Sequence, residues 1–158
     1  MAESFIRPAT PADAEAIASL VSSLAHYFVA DPAAASVQPF LATFHAEAIA
    51  GLLANAAFSC LCAEDAGALL GVITVHRPAH VHHLFVQPNA HRRGIAHALW
   101  QAMLVQLAPD MPVTVNSSEF AVPVYQRMGF IATAPVQERN GVRYVPMSTS
   151  TFFAGANA

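Results

Sequence analysis

Lysine is missing from this chain: all seven basic residues are arginine, set against ten acidic ones for a formal net charge of −3. Charged residues make up only 11% of the sequence and the pI is about 6.2, which excludes the basic field of a general nucleic-acid binder. Cysteine is scarce as well. Cys60 and Cys62 stand two apart, so in a strand they point to one face and do not form a normal disulfide with each other. Long apolar runs are absent although 55% of the residues are hydrophobic. A spanning helix needs roughly 18 uninterrupted apolar residues, so a membrane protein is not expected. Low charge with high apolar content also argues against disorder. The N-terminus lacks a basic segment followed by an apolar one, so no secretory signal is read and a cytoplasmic setting is expected.

What is present fits one domain. The 158 residues are enough for a full core, with about 68–70% of the unfolded surface buried. The expectation is a single domain over 1–158 with its core at about 4–148 and a loose tail at 154–158. Phe5 to Arg7 reads as a strand. Thr10, Pro11 and Asp13 then read as a helix start, and Ile17, Leu20, Val21, Leu24 and Phe28 keep helical spacing. Asp31-Pro32 ends that helix, Pro39 adds a second break, and another helix is expected over about Phe44 to Ala54. Strands follow at about Phe58 to Ala63, Leu69 to His76 and His80 to Val86. A helix from about Ile95 to Leu107 comes next, then a strand at Val113 to Val115 and a short helix at Ala121 to Met128, closed by Gly129. Phe130 to Val136 and Val142 to Met147 flank Asn140-Gly141, a strong hairpin signal. The order βααβββαβαββ predicts an α/β fold of the α+β type, a mixed, mostly antiparallel sheet of about seven strands with helices on both faces.

The stretch from Val86 to Ala96 carries the most chemistry. A strand end, small residues and a helix start come together there, and free N–H groups at a helix N-terminus attract an anion. Gly94 and Ala96 leave room for a phosphate, and Arg92 and Arg93 add charge. An ordinary turn with solvated arginines would read the same way. The segment is neither a Walker loop nor a dinucleotide fingerprint.

In this segment Val86-x-Pro88 and His91-x-x-Gly94-x-Ala96 resemble the signature of the GNAT acyltransferases, which use acetyl-coenzyme A. His91 departs from the arginine or glutamine usual there. A second family segment, Ala-x-x-x-Tyr-x-x-x-Gly-Phe, is matched by Ala121, Tyr125, Gly129 and Phe130. The resemblance implies an acyl-coenzyme A N-acyltransferase fold with a cleft where two neighbouring strands splay. The cofactor's pantetheine arm would pair with the backbone of Leu84, Phe85 and Val86. Its diphosphate would sit on the N–H groups of Arg92, Arg93, Gly94, Ile95, Ala96 and His97 beside His91, with Asn116 contacting the arm.

Acetylating an amine requires the ammonium to lose a proton and the leaving thiolate to gain a donor. Histidine, with an unperturbed pKa near 6.5, suits the first task. Strand alternation places His80, His82 and Leu84 on one face, with Val81, His83 and Phe85 on the other. Ala79 to Val86 and Val124 to Phe130 further resemble two patches of the arylalkylamine N-acetyltransferases. That likeness implies His82 and His80 as proton relay and Tyr125 as donor to the thiolate. Half-buried polar histidines and a core tyrosine are the plainer alternatives. A metal site is not expected: six histidines lie between 76 and 97, but no carboxylate or cysteine stands among them. Cys60 and Cys62 read as packing residues. Direct transfer would have backbone N–H groups near Leu84 steady the oxyanion. The first two helices and the Val29–Phe40 loop, with Phe28, Val29, Phe40 and Phe44, are expected to wall the acceptor site. A small-molecule amine or a peptide N-terminus is the expected partner, and high apolar content suggests a homodimer. A non-catalytic acyl-coenzyme A sensor would keep the loop without needing Tyr125 or the histidines.

Overall fold

The computed structural model describes residues 5–91 and 93–149. Arg92 and the expected loose tail at 154–158 lie outside the described residues. Strand β1 (Phe5–Pro8) leads through a short 3-10 turn to α1 (Ala14–Phe28). Thr10 N–H donates to Asp13 Oδ2 at 2.8 Å, and Arg7 grips both Asp13 and Glu64, so the first helix is fastened to the sheet at its start. A 3-10 turn at Ala35–Val37 runs into a short helix α2 (Gln38–Ala42), followed by α3 (Ala46–Leu53). Pro39 therefore does not break the chain: it sits in the first turn of α2, where a missing N–H costs nothing.

Strands β2 (Phe58–Asp65), β3 (Ala68–His76) and β4 (His80–Val86) form an antiparallel meander. The turn between β2 and β3 uses positive φ at Ala66 and Gly67. Helix α4 (Ile95–Leu104) leads to β5 (Thr114–Ser117), then α5 (Val122–Arg127), and the chain closes with β6 (Ile131–Ala132), β7 (Gln137–Arg139) and β8 (Val142–Ser148). Among the described residues eight strands run β1-β2-β3-β4-β5-β8-β6, with β7 paired to β8 off that path, and only β4 and β5 pair in parallel. The sheet has one strand more than expected because Phe130 to Val136 does not extend as one strand. Its start pairs with Ser148 and Met147, and pairing resumes at Gln137, beyond Pro135, which has no N–H to give a ladder.

The two faces bury separate cores. One gathers Leu61, Ile73, Val75, Val81, Leu99, Trp100, Met103, Tyr125 and Phe130 under α4 and α5. The other gathers Ile17, Leu20, Val21, Leu24, Phe44, Ile49, Cys62 and Val72 under α1 and α3. At the far end of the sheet Asn140 and Gly141 turn the β7–β8 hairpin with φ of 53° and 83°. A Cβ on Gly141 would lie 2.9 Å from Ser36 Oγ and from Val37 Cγ1, so the hairpin tip presses against the turn before α2.

Candidate active site

The site begins with a change of register in β4. Thr74 pairs with His83 and Val75 pairs with Val81, leaving His82 as an extra residue. The bulge corrects the simple alternation expected for this strand. His80 and His83 pair with His76 and Thr74, and Phe85 packs into the core under α1. The ring of His82 lies 4.4 Å from that of His83 and 5.3 Å from that of Phe58. The histidines therefore share the α1 side with Phe85, while Val81, Leu84 and Val86 share the α4 side.

Beyond the bulge, β4 loses one neighbour. It pairs with β5 only at His80 with Thr114 and Val81 with Val115, while β5 continues along β8 as far as Ser117. The strands part after Val81. Gln87 N–H donates to Leu70 O at 2.7 Å, so ladder alternation turns the amides of Leu84 and Val86 toward the gap. The Val86 carbonyl accepts a 2.9 Å bond from His91 Nε2, which ties the following loop to the strand end. Gly94 then caps α4 with φ of 78°, a left-handed conformation that suits glycine, and the first amides of α4 open to the same space.

That space is a cleft of about 620 Å³ between β4, α1, α5 and the start of α4. Its lining includes Leu84, Phe85, Val86, His91, Gly94, Ile95, Ala96, His97 and Tyr125, nine of the residues singled out by sequence. Among the described residues no lining residue is acidic. Arg93 is outside the lining and lies 3.7 Å from Asp65 in an ion pair. His80, His82 and Asn116 are also outside it. The ring of His80 is held by Thr114 Oγ1 at 2.7 Å from Nδ1, and Asn116 is exposed on β5. Of the expected acceptor wall, Phe28 lines the cleft, while Val29 and Phe44 are buried and Phe40 packs on Phe44 at 5.1 Å. Tyr27 and Phe120 complete the apolar side, with ring centroids 4.5 Å apart. Sequence reading missed both. Tyr27 continues the α1 pattern off its buried stripe, and Phe120 stands in a short loop with no periodicity to reveal it.

The ionisable groups divide by environment. Tyr125 is buried, and burial pushes its hydroxyl well above the ordinary tyrosine value, so it stays protonated. His82 and His80 are pushed below the ordinary histidine value, first by loss of solvent and then by neighbouring histidines, so both are neutral at pH 7. His83 is buried deeply enough to fall to about 3. Burial raises Cys60 to about 11 and Cys62 to about 12, which leaves both thiols unreactive. Among the described residues no group of three His, Cys, Asp or Glu is placed to hold a metal ion, and no helix is long and apolar enough to cross a membrane.

An open strand edge running to a helix N-terminus is the geometry that holds an extended amide arm ending in a diphosphate. Residues 28–151 match the family model for the acetyltransferase (GNAT) domain. The chain belongs to the GNAT family. Members of this family are acetyl-coenzyme A-dependent N-acetyltransferases, and the protein is one of these enzymes. The GNAT fold recurs in a GCN5-related N-acetyltransferase from Rhodopseudomonas palustris, 23% identical, with 95% of this chain and 97% of that one covered at a TM-score of 0.76. PaiA N-acetyltransferase from Thermoplasma acidophilum, solved with coenzyme A, is 14% identical over 94% and 99% of the two chains at a TM-score of 0.74. An aminoglycoside 6'-N-acetyltransferase, also solved with coenzyme A, is 12% identical over 93% and 97% at 0.66. No curated protein sequence matches the chain. These likenesses carry the GNAT fold. The narrower likeness to arylalkylamine enzymes rests on its two local patches alone.

Proposed function

We propose that the protein moves the acetyl group of acetyl-coenzyme A directly to a small, partly apolar amine, with the whole chain acting as one domain. The observation that carries this reading is the unpaired edge of β4, leading from Leu84 to the amides of α4. The residues present fit the cofactor: the Leu84 amide faces the gap, Gly94 and Ala96 keep the helix start open, and no carboxylate lines the cleft to repel phosphates. Acetyl-coenzyme A supplies the activated thioester when bound. Leu84 and Val86 hold its arm and the amides of 94–97 hold its diphosphate, with Arg92 a further candidate; the Arg93 N–H instead donates to the Ala90 carbonyl at 3.4 Å.

In this reading the Leu84 N–H donates to the oxyanion that develops on the carbonyl. Tyr125 donates a hydrogen bond to the departing sulfur. With its pKa raised, full proton transfer to a thiolate is uphill, so the hydroxyl stabilises the charge rather than quenching it. Proton removal from the ammonium falls to His82, with His80 behind it. Neither touches the cleft, so the proton reaches them through water, and the exposed His82 passes it to solvent. Holding amine and thioester together can supply up to ~7–11 kcal/mol, more than these proton carriers.

The acceptor class follows from the lining. Tyr27, Phe28, Phe85 and Phe120 offer apolar surface, and nothing acidic is there to hold a second ammonium group. A single amine with an apolar body is favoured over a polyamine; a peptide N-terminus meets the same condition. A homodimer and a cytoplasmic setting belong to the proposal too, supported by exposed Ile131 and Val136 and by two free cysteines. The experiment is thiol release from acetyl-coenzyme A across a panel of amines and peptides. Turnover with apolar monoamines ahead of polyamines is expected. Tight coenzyme A binding with no thiol release from any acceptor would replace the enzyme reading by a sensor.

A further inference from the structure

Among the described residues the cleft lining holds one arginine, Arg127, and the diphosphate loop leaves it without a task. Among the described residues Arg7, Arg93 and Arg143 each face a carboxylate, and Arg77 donates to the Ala56 carbonyl. Arg127 makes no ion pair and no hydrogen bond there. It is exposed at the end of α5, one turn beyond Pro123, and shares the cleft lining with Ala96 and His97 at the start of α4. A guanidinium cannot shed its charge, and no acidic residue lines this cleft to neutralise it. An anion entering the cleft would meet this charge at its rim, with no described carboxylate of the lining competing for it.

Coenzyme A carries a third phosphate that the amides of α4 do not address. It is a monoester on the ribose, with a charge of about −1.5 to −2 at pH 7. It lies beyond the diphosphate from the thioester, so it emerges at the rim while the arm runs inward along β4. A planar fork of donors suits such a group. We propose that Arg127 binds the 3'-phosphate and so makes the enzyme distinguish coenzyme A from its dephospho form. This rests on the coenzyme A reading given above and goes beyond it by naming the residue that reads the nucleotide end.

The test is calorimetry of the full chain with coenzyme A and with 3'-dephospho-coenzyme A. The wild type should hold coenzyme A about ten-fold more tightly, the effect of one charge-assisted contact. Arg127→Gln should erase that ratio by weakening coenzyme A alone. Arg127→Lys should recover part of it, because a point charge replaces the fork. Arg139→Gln, an exposed arginine off the cleft, should leave the ratio at the wild-type value. An unchanged ratio in Arg127→Gln, or an equal loss with both ligands, overturns the proposal. A wild type that binds neither ligand overturns the coenzyme A reading itself, and Arg127's part falls with it.

Discussion

Tyr125 and His83 flank β4 from opposite faces, and each buries a polar-ended ring. Tyr125 is 5% exposed and packs on Phe130 under α4; His83 is 4% exposed and packs between Phe44 and Phe85 under α1. Burial keeps both uncharged, raising one pKa and lowering the other. They differ in what the polar end meets. His83 Nδ1 reaches Thr74 Oγ1 at 3.3 Å, so this end of the ring is bonded inside the fold. The Tyr125 hydroxyl has no hydrogen-bond partner among the described residues and opens on the cleft. A satisfied buried group is part of the packing, whereas an unsatisfied one at a cleft wall is available to a ligand.

The largest expected effect tests the structural member of the pair. The folded pKa of His83, about 3, lies below its unfolded value near 6.5, so the unfolded chain binds the proton first. The stability this confers is complete above pH 6.5 and is lost as pH falls toward 3. Between pH 7 and pH 4 the loss is about 3 kcal/mol, readable by urea unfolding at the two pH values. His83→Phe should remove the largest part of that slope, leaving the smaller share of His80 and His82. The Arg7-bonded Asp13, whose pKa is lowered from 3.8, contributes mainly below this window, and the lowered His80 and His82 add to the loss within it. A wild type equally stable at both pH values would show His83 solvated. Next comes the catalytic member: Tyr125→Phe should cut kcat about 10²-fold while moving the coenzyme A Kd less than about two-fold. A weakened Kd with unchanged kcat would make the two rings alike, both packing. The smallest effect concerns the exposed histidine beside them. The acid limb of kcat/KM should fall below pH 6.5, following the lowered pKa of His82, and His82→Gln should remove it with less than about ten-fold loss at pH 7. A limb that survives both His82→Gln and His80→Asn assigns deprotonation to water alone.

Periodicity and turn chemistry were enough to read most of this fold. The α1 stripe, the β2–β3–β4 meander, Gly94 and the Asn140-Gly141 turn all lie where local patterns put them. The two motif segments meet across the cleft, with Leu84, Val86, Gly94 and Tyr125 in one lining. What local pattern could not show depends on partners. The bulge at His82 exists only in register with Thr74 and Val75, so alternation alone set Leu84 with the wrong neighbours. Pro39 reads as a break until the preceding turn supplies a helix for it to start. Tyr27 and Phe120 lie 93 positions apart and become a wall only when α1 and the loop before α5 are brought together.

The contact of Gly141 with Ser36 and Val37 couples two ends of the sequence in their evolution. The segment leading into Phe40 cannot be reshaped for a new acceptor without regard to a hairpin tip about a hundred residues later. Any side chain at Gly141 would push Ser36 and Val37 aside. Libraries aimed at new acceptors should therefore vary 34–40 and 139–142 together, since winners in either segment alone will be drawn from a narrower set of shapes.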